Sequence, residues 1–304
     1  MKLTNKLNLP EPFVRAVSEK TYDNQGSWRT VTELIGPPKI AALKRKHEEE
    51  IEVDASELVY TFQGETAHAT IERAAKTMCK EGWQAEERLF KKVQGKKISG
   101  AYDLFNPKTG ELIDVKNSTA WKAKRGEAPA EWVQQCNLLA HLIREKGHDV
   151  RRIRIVLIIR DHSKPESRRD PEYPQTPVVQ IEIPIWTDEE AKAFLEDRVR
   201  LHLLAETEEV ECSPEDRWAK PTIWAIRKTE KKKVKSGNRT VLIPSRAIPG
   251  GLYADEEKAK EKLEQLGNAY EIDYRPGENT RCALYCPVAK FCAQYQKLLT
   301  QQGK

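Results

Sequence analysis

At 304 residues the chain is long enough for one large domain or two modest ones, with a sizeable buried core. Its 38% hydrophobic and 33% charged residues, with no apolar run near the ~20 residues of a membrane-spanning helix, predict a globular protein with a wet surface and no membrane partner. The net charge of +5 does not oppose a polyanionic ligand, and MKLTNKLNLPEPFVRAV lacks the apolar stretch of a secretory leader, so a cytoplasmic location is expected.

Residues 1–53 read as an arm, punctuated by Pro10, Pro12, Pro37 and Pro38, with KIAALKRKHEEEI as a short charged helix. DASELVYTFQGETAHATIERAAKTMCKEG predicts a longer helix, capped near Asp54 or Ser56 and closed before Gly82. A strand-rich block follows in ERLFKKV, KKISGAYDLF and ELIDVKN, then helical periodicity in AEWVQQCNLLAHLIREKG. RIRIVLIIR and VVQIEIPIW suit strands, and TDEEAKAFLEDRVRLHLLAE is a helix with Thr187 as its cap. Composition shifts near residue 206. Beyond it lie TIWAIRK and RTVLIPS around a basic turn, a helix EEKAKEKLEQLG, a strand YEIDYR and a cysteine cluster. The order predicts an α/β protein. A mixed central β-sheet flanked by helices would fill residues 54–205, and a smaller C-terminal α/β cysteine-cluster unit residues 206–304.

Within ISGAYDLFNPKTGELIDVKNS two apolar runs flank a turn, as in a β-hairpin. Asp114 and Lys116 project to the same side of their strand, with Val115 pointing away. If the two strands pair, Asp103 can approach that face. Converging carboxylates make an oxygen-rich site suited to Mg²⁺ or Mn²⁺, and a nearby lysine can hold a water or neutralise charge on a phosphate. Solvent-facing polar residues on a one-sided hairpin are the plainer explanation, but Ile113 and Val115 make the aspartate's neighbours unusually apolar.

Gly100-x-x-Asp103 followed by Asp114-x-Lys116 resembles the core of the PD-(D/E)XK nucleases, in particular their RecB-like branch. Gly64-x-x-x-His68-x-x-x-Glu72 is similar to that branch's upstream histidine helix, and WVQQCNLLAHLI to its Gln-x-x-x-Tyr helix, with Gln135 as the glutamine and Leu139 where the tyrosine would stand. The resemblance implies a restriction-endonuclease-like core. His68, Asp103 and Asp114, with the Val115 carbonyl, would be metal ligands, Lys116 the catalytic lysine, and Gln135 the residue that orients substrate or lysine. Glu72 and Glu86 are open between outer ligands and surface carboxylates.

RCALYCPVAKFC groups Cys282, Cys286 and Cys292, a credible soft-metal set in a reducing compartment. The fourth thiolate would come from Cys79, Cys136 or Cys212. Cys212 is assigned because it opens the same segment, whereas Cys79 and Cys136 read as small buried residues. CRISPR-associated and helicase-linked RecB-like nucleases pair such a triplet with an upstream cysteine to hold a [4Fe–4S] cluster, and zinc is the rival ion. The matching upstream segment here, Pro37-Pro38-Lys39-Ile40, has no cysteine.

Trp121, Lys122, Lys124 and Arg125 follow the lysine strand and could stack on a base and clamp its backbone. The basic turn at 227–239 is either a phosphate track or a solvated loop. The expectation is a metal-dependent DNA exonuclease similar to phage-type members of the family. A structure-specific endonuclease and a DNA-binding module without catalysis are the alternatives. The resemblance further implies a role in recombination or DNA processing, alongside a recombinase or annealing protein.

Overall fold

The computed structural model describes residues 1–19, 23–124, 126, 128–236 and 239–301, and the chain divides into two units, Met1–Val210 and Glu211–Lys304. The first is built on a five-stranded sheet in the order Val178–Glu182, Arg152–Ile159, Glu111–Ser118, Leu104–Asn106, Gln84–Ala85. Glu111–Ser118 and Arg152–Ile159 run parallel, with Asp114 opposite Ile155 and Lys116 opposite Leu157; the other neighbours are antiparallel. A parallel pair needs a crossover. Here it carries the helix Ala130–Arg144, whose Trp132, Cys136, Leu139 and Ile143 are buried. Ile153, Ile155, Leu157 and Ile159 alternate into the same core, each worth roughly 1.5–3 kcal/mol of burial. The helix Asp188–Thr207 opens with a capping box between Thr187 and Glu190. The fold is thus the expected mixed α/β arrangement of sheet and flanking helices.

The run KKISGAYDLF is not one strand. Lys96–Ala101 pairs with Arg88–Val93 through the two-residue turn Gln94–Gly95, whose φ values of +46° and +79° give the hairpin turn that matches strand twist. With Arg29–Thr30 these strands form a second sheet. The same hairpin then passes a kink at Glu86, φ +53°, and continues as Gln84–Ala85 paired with Leu104–Asn106 in the first sheet. The kink hands the ribbon from one sheet to the other, and Asp103 lies opposite it.

Residues 1–53, expected as an arm, are integral to the first unit. Lys2–Thr4 pairs with Glu52–Asp54, and Val31 and Leu34 are fully buried. The prolines that suggested an arm start helices instead: Pro12 lies in the first turn of Glu11–Ser18 and Pro38 opens Pro38–Lys46, positions where the missing N–H is not needed. The helix Asp188–Thr207 also runs through the expected boundary at 206.

His202 of that helix is buried, and its Nε2 lies 3.1 Å from the Leu34 carbonyl and 3.3 Å from that of Gly36. Burial, followed by the charges of Arg198 and Arg29, pushes its pKa down to about 4. Because the folded value is depressed, the unfolded chain takes up the proton first. Stability is therefore lost as pH falls from about 6.5 towards 4, by about 3 kcal/mol. In urea titrations the stability difference between wild type and His202→Gln should shrink by that amount between pH 7 and 4; a constant difference would contradict the assignment.

In the second unit Ala247–Tyr253, Ile223–Lys228 and Tyr270–Arg275 form an antiparallel sheet in that order. The helix Glu256–Leu266, capped by Asp255, accompanies it. Lys232–Ser236 and Arg239–Ile243 pair as a separate hairpin; its expected tip, Gly237–Asn238, lies outside the described residues. Among the described residues of this unit the buried apolar side chains are Cys212, Ala225, Ile226, Ala259, Val288 and Cys292. No helix among the described residues is long and apolar enough to cross a membrane.

Candidate active site

Asp103 sits where the hairpin ribbon changes sheets. Its carbonyl accepts from the Glu86 N–H at 3.1 Å, and its Oδ2 accepts from the Val115 N–H at 2.6 Å. The residue is therefore held from both sides by main chain, its carboxylate by the lysine strand and its carbonyl by Glu86. The helix Val59–Lys76 brings His68 Nδ1 to 3.2 Å from Asp103 Oδ1 and 3.6 Å from Glu86 Oε1. Asp103 and then Glu86 push the imidazole up to about 10 against its burial, so a divalent ion bound there would take the place of that proton.

On the other side of Val115, Asp114 is 2% exposed. Its oxygens lie 3.1 and 2.9 Å from Lys116 Nζ, and Lys116 Nζ donates to Gln135 Oε1 at 3.0 Å. Burial pushes the Asp114 carboxyl up, opposed by the ammonium beside it. Burial alone would lower Lys116, but Asp114 outweighs it and the amine is held above its usual value. Asp114 and Lys116 do share one face of their strand, and the crossover helix lays Gln135 over it.

The ligand atoms of His68, Glu86 and Asp103 lie within 4.8 Å of one another. Two carboxylates and an imidazole suit Mg²⁺ or Mn²⁺. Asp114 Oδ2 is buried with the ion pair to Lys116 at 2.9 Å but no well-aligned hydrogen bond, and would tolerate a cation nearby. The donor set therefore fits a divalent ion. It differs from the set read from sequence: Glu86 is in the group of three, Asp114 is outside it, and Val115 contributes its N–H to Asp103. Glu72 pairs with Lys76 at 2.6 Å and takes no part. The signal for Glu86 was present, because equal steps back along both strands from the Gln94–Gly95 turn place Glu86 opposite Asp103. Its left-handed backbone, uncommon for a side chain of this size, marks the same spot.

Leu139 is 2% exposed, and a Cβ built on Gly100 would lie 2.6 Å from Leu139 Cδ2 and 2.9 Å from Val31 Cγ2. The motif glycine is thus the floor on which Leu139 packs, and the position is core. Gly100→Ala should overpack it and destabilise the first unit by about 1–3 kcal/mol. Chemical denaturation should show this, with Gly100→Ala/Leu139→Ala losing less than the sum of the two single variants; unchanged stability of Gly100→Ala would show that the core gives way at no cost.

Trp121, Lys122 and Lys124 lie on a short helix, Ala120–Lys124, and not on a loop. The Trp121 ring is largely exposed. Lys122 Nζ lies 5.5 Å from the Trp132 ring centroid, and Lys124 pairs with Asp170 at 2.6 Å. Arg125 lies outside the described residues.

In the second unit, burial and then the charges of Asp216 and the other three cysteines push the Cys212 thiol up to about 12. Cys282 is raised by burial and by Cys286 and Cys292. The four thiols assigned from sequence therefore share one neighbourhood. Gln294 fixes the Cys212 backbone, donating to its carbonyl and accepting from its N–H, both at 2.9 Å. No three of the four Sγ atoms lie within 4.8 Å of one another, whereas a tetrahedral zinc site with Zn–S bonds near 2.3 Å places its sulfurs roughly 3.8 Å apart. Of the remaining two, Cys136 is buried in the first unit's core, while Cys79, expected inside, is exposed.

No family model matches the chain, and no curated protein matches it. Among solved structures it is similar to the protein SSO0001, at 17% identity and a TM-score of 0.44, over 68% of this chain and 89% of that one. It is also similar to a candidate exonuclease from Eubacterium rectale, at 13% identity and a TM-score of 0.30, over 62% and 71%. Likenesses this distant carry no functional argument, and the site stands on its own geometry.

Proposed function

We propose that the chain is a divalent-metal-dependent deoxyribonuclease acting on linear or single-stranded DNA. One observation carries this reading: a hard-ligand group of His68, Glu86 and Asp103 and a buried Asp114–Lys116–Gln135 chain meet across a single residue, Val115. His68, Glu86 and Asp103 would hold Mg²⁺ or Mn²⁺, with Asp114 behind them. A bound ion supplies a Lewis acid for a phosphoryl oxygen and a water of lowered pKa. Lys116, kept as an ammonium by Asp114 and aimed by Gln135, places a fixed positive charge where negative charge grows on the phosphate. Trp121 beside the strand's end is a candidate contact for the strand being cut. The thiols of Cys212, Cys282, Cys286 and Cys292 would hold the second unit's staple, a [4Fe–4S] cluster with zinc as the rival.

End-labelled linear DNA, single- and double-stranded, and a closed circle are incubated with the protein in Mg²⁺, Mn²⁺ or EDTA. Metal-dependent loss of the linear forms that spares the circle is the expected result. Cutting of the circle would make the enzyme an endonuclease. No cleavage in any lane would overturn the reading.

A further inference from the structure

The segment Ser213–Trp218 forms a single helical turn. Ser213 Oγ accepts from the Asp216 N–H at 3.1 Å, and Asp216 Oδ2 accepts from the Ser213 N–H at 3.1 Å. At its end the Ala219 N–H donates to the Pro214 carbonyl at 2.9 Å and the Trp218 N–H to that of Glu215 at 3.0 Å. This is the paired closure of a helix C-terminus whose left-handed position is normally glycine. Tryptophan occupies it, at φ +50°, a conformation that is an outlier for a bulky side chain.

What the strained residue presents is a ring. Trp218 is 43% exposed and Tyr285 64%; their centroids are 5.5 Å apart, edge to face. The Arg281 guanidinium lies 4.2 Å from the Trp218 centroid and donates to the Asp216 carbonyl at 2.9 Å, which fixes it beside the indole. Trp218 directly precedes the short pairing of Ala219–Lys220 with Glu278–Asn279, which sets Arg281 beside it. Residues 211–304 hold 18 of the chain's 52 Lys and Arg but only 12 of its 47 Asp and Glu, so all of the excess positive charge lies in this unit.

We infer that Trp218, Tyr285 and Arg281 form a platform on which an unpaired nucleobase stacks, so that the second unit holds single-stranded nucleic acid through its bases. Two part-exposed rings, with a fixed cation over one of them, suit a base and its phosphate, and the excess positive charge favours that ligand over an apolar peptide. The ligand class rests on the reading of the chain as a DNA-acting protein; the binding does not require cleavage.

The test is fluorescence anisotropy of the full-length protein in EDTA, with a labelled oligothymidine, an abasic strand of the same length and a duplex. Oligothymidine should bind more tightly than the abasic strand. Trp218→Ala and Tyr285→Ala should each weaken it by about 5- to 100-fold, Trp218→Phe should retain most of the affinity, and abasic binding should stay constant across all four proteins. Trp218→Gly, which restores the usual residue of the turn, should lose the affinity without lowering the melting temperature. Equal affinity for the abasic strand, an unchanged Trp218→Ala, or an equal loss on the duplex would overturn the platform. Binding here with no wild-type cleavage in Mg²⁺ or Mn²⁺ would remove the nuclease reading and leave the platform standing; cleavage in those metals with Trp218-independent binding would do the reverse.

Discussion

Lys116→Ala should reduce DNA cleavage by about 10³-fold and also destabilise the first unit by about 3–5 kcal/mol, because it leaves Asp114 buried without its counter-charge. The two losses have different origins and can be separated. Asp114→Asn/Lys116→Met removes both charges at once, so the buried uncompensated carboxylate disappears and most of the stability should return. Activity should not return, because the cation that faces the phosphate is still missing. Metal-dependent nicking or end digestion, measured beside urea unfolding for wild type, the single variant and the pair, checks both halves. Cleavage by Lys116→Ala at the wild-type rate would remove the lysine from the chemistry. A double variant as unstable as the single one would show that Asp114 and Lys116 are not each other's main partners, against the 2.9 and 3.1 Å separations seen here.

Cys292→Ser should unfold the second unit and leave the first intact. Among the described residues of that unit, two of the six buried apolar side chains are themselves cysteines, and two more are alanines. A unit this short with so small a core needs a staple. Closed thiolate metal sites contribute about 10–16 kcal/mol in zinc-dependent peptides, comparable to or larger than the roughly 5–15 kcal/mol by which a whole domain is stable. Loss of bound iron, loss of visible absorption and rapid proteolysis confined to residues 211–304 are the expected signature. Cys79→Ser, at an exposed position in the first unit, should change none of them. A wild-type protein that purifies without iron or zinc, and a Cys292→Ser variant that resists protease equally, would show that the unit stands without metal.

Much of the site was written locally. Asp114 and Lys116 share a face because side chains alternate along a strand. The crossover helix had to pack back onto its sheet, which placed Gln135 over Lys116. The four-position step from His68 to Glu72 suggested a shared helix face, yet Glu72 is spent on Lys76. The histidine's partner comes from a strand instead.

Alternation, helical periodicity and the proline and glycine punctuation settled the α/β class, the order of the elements and the residues that could do chemistry, because each depends on neighbours within a few positions. Other features depended on pairings between distant segments. These include the split of one apparent strand between two sheets at Asp103, the entry of Glu86 in place of Asp114 beside His68, the burial of Val31 and Leu34 in the core, and the ring of Trp218 beside Arg281 and Tyr285. A sequence read in order carries no distance between segments far apart along it. The hairpin register came nearest to supplying one, through its two-residue turn, and elsewhere only packing decided which side chains met.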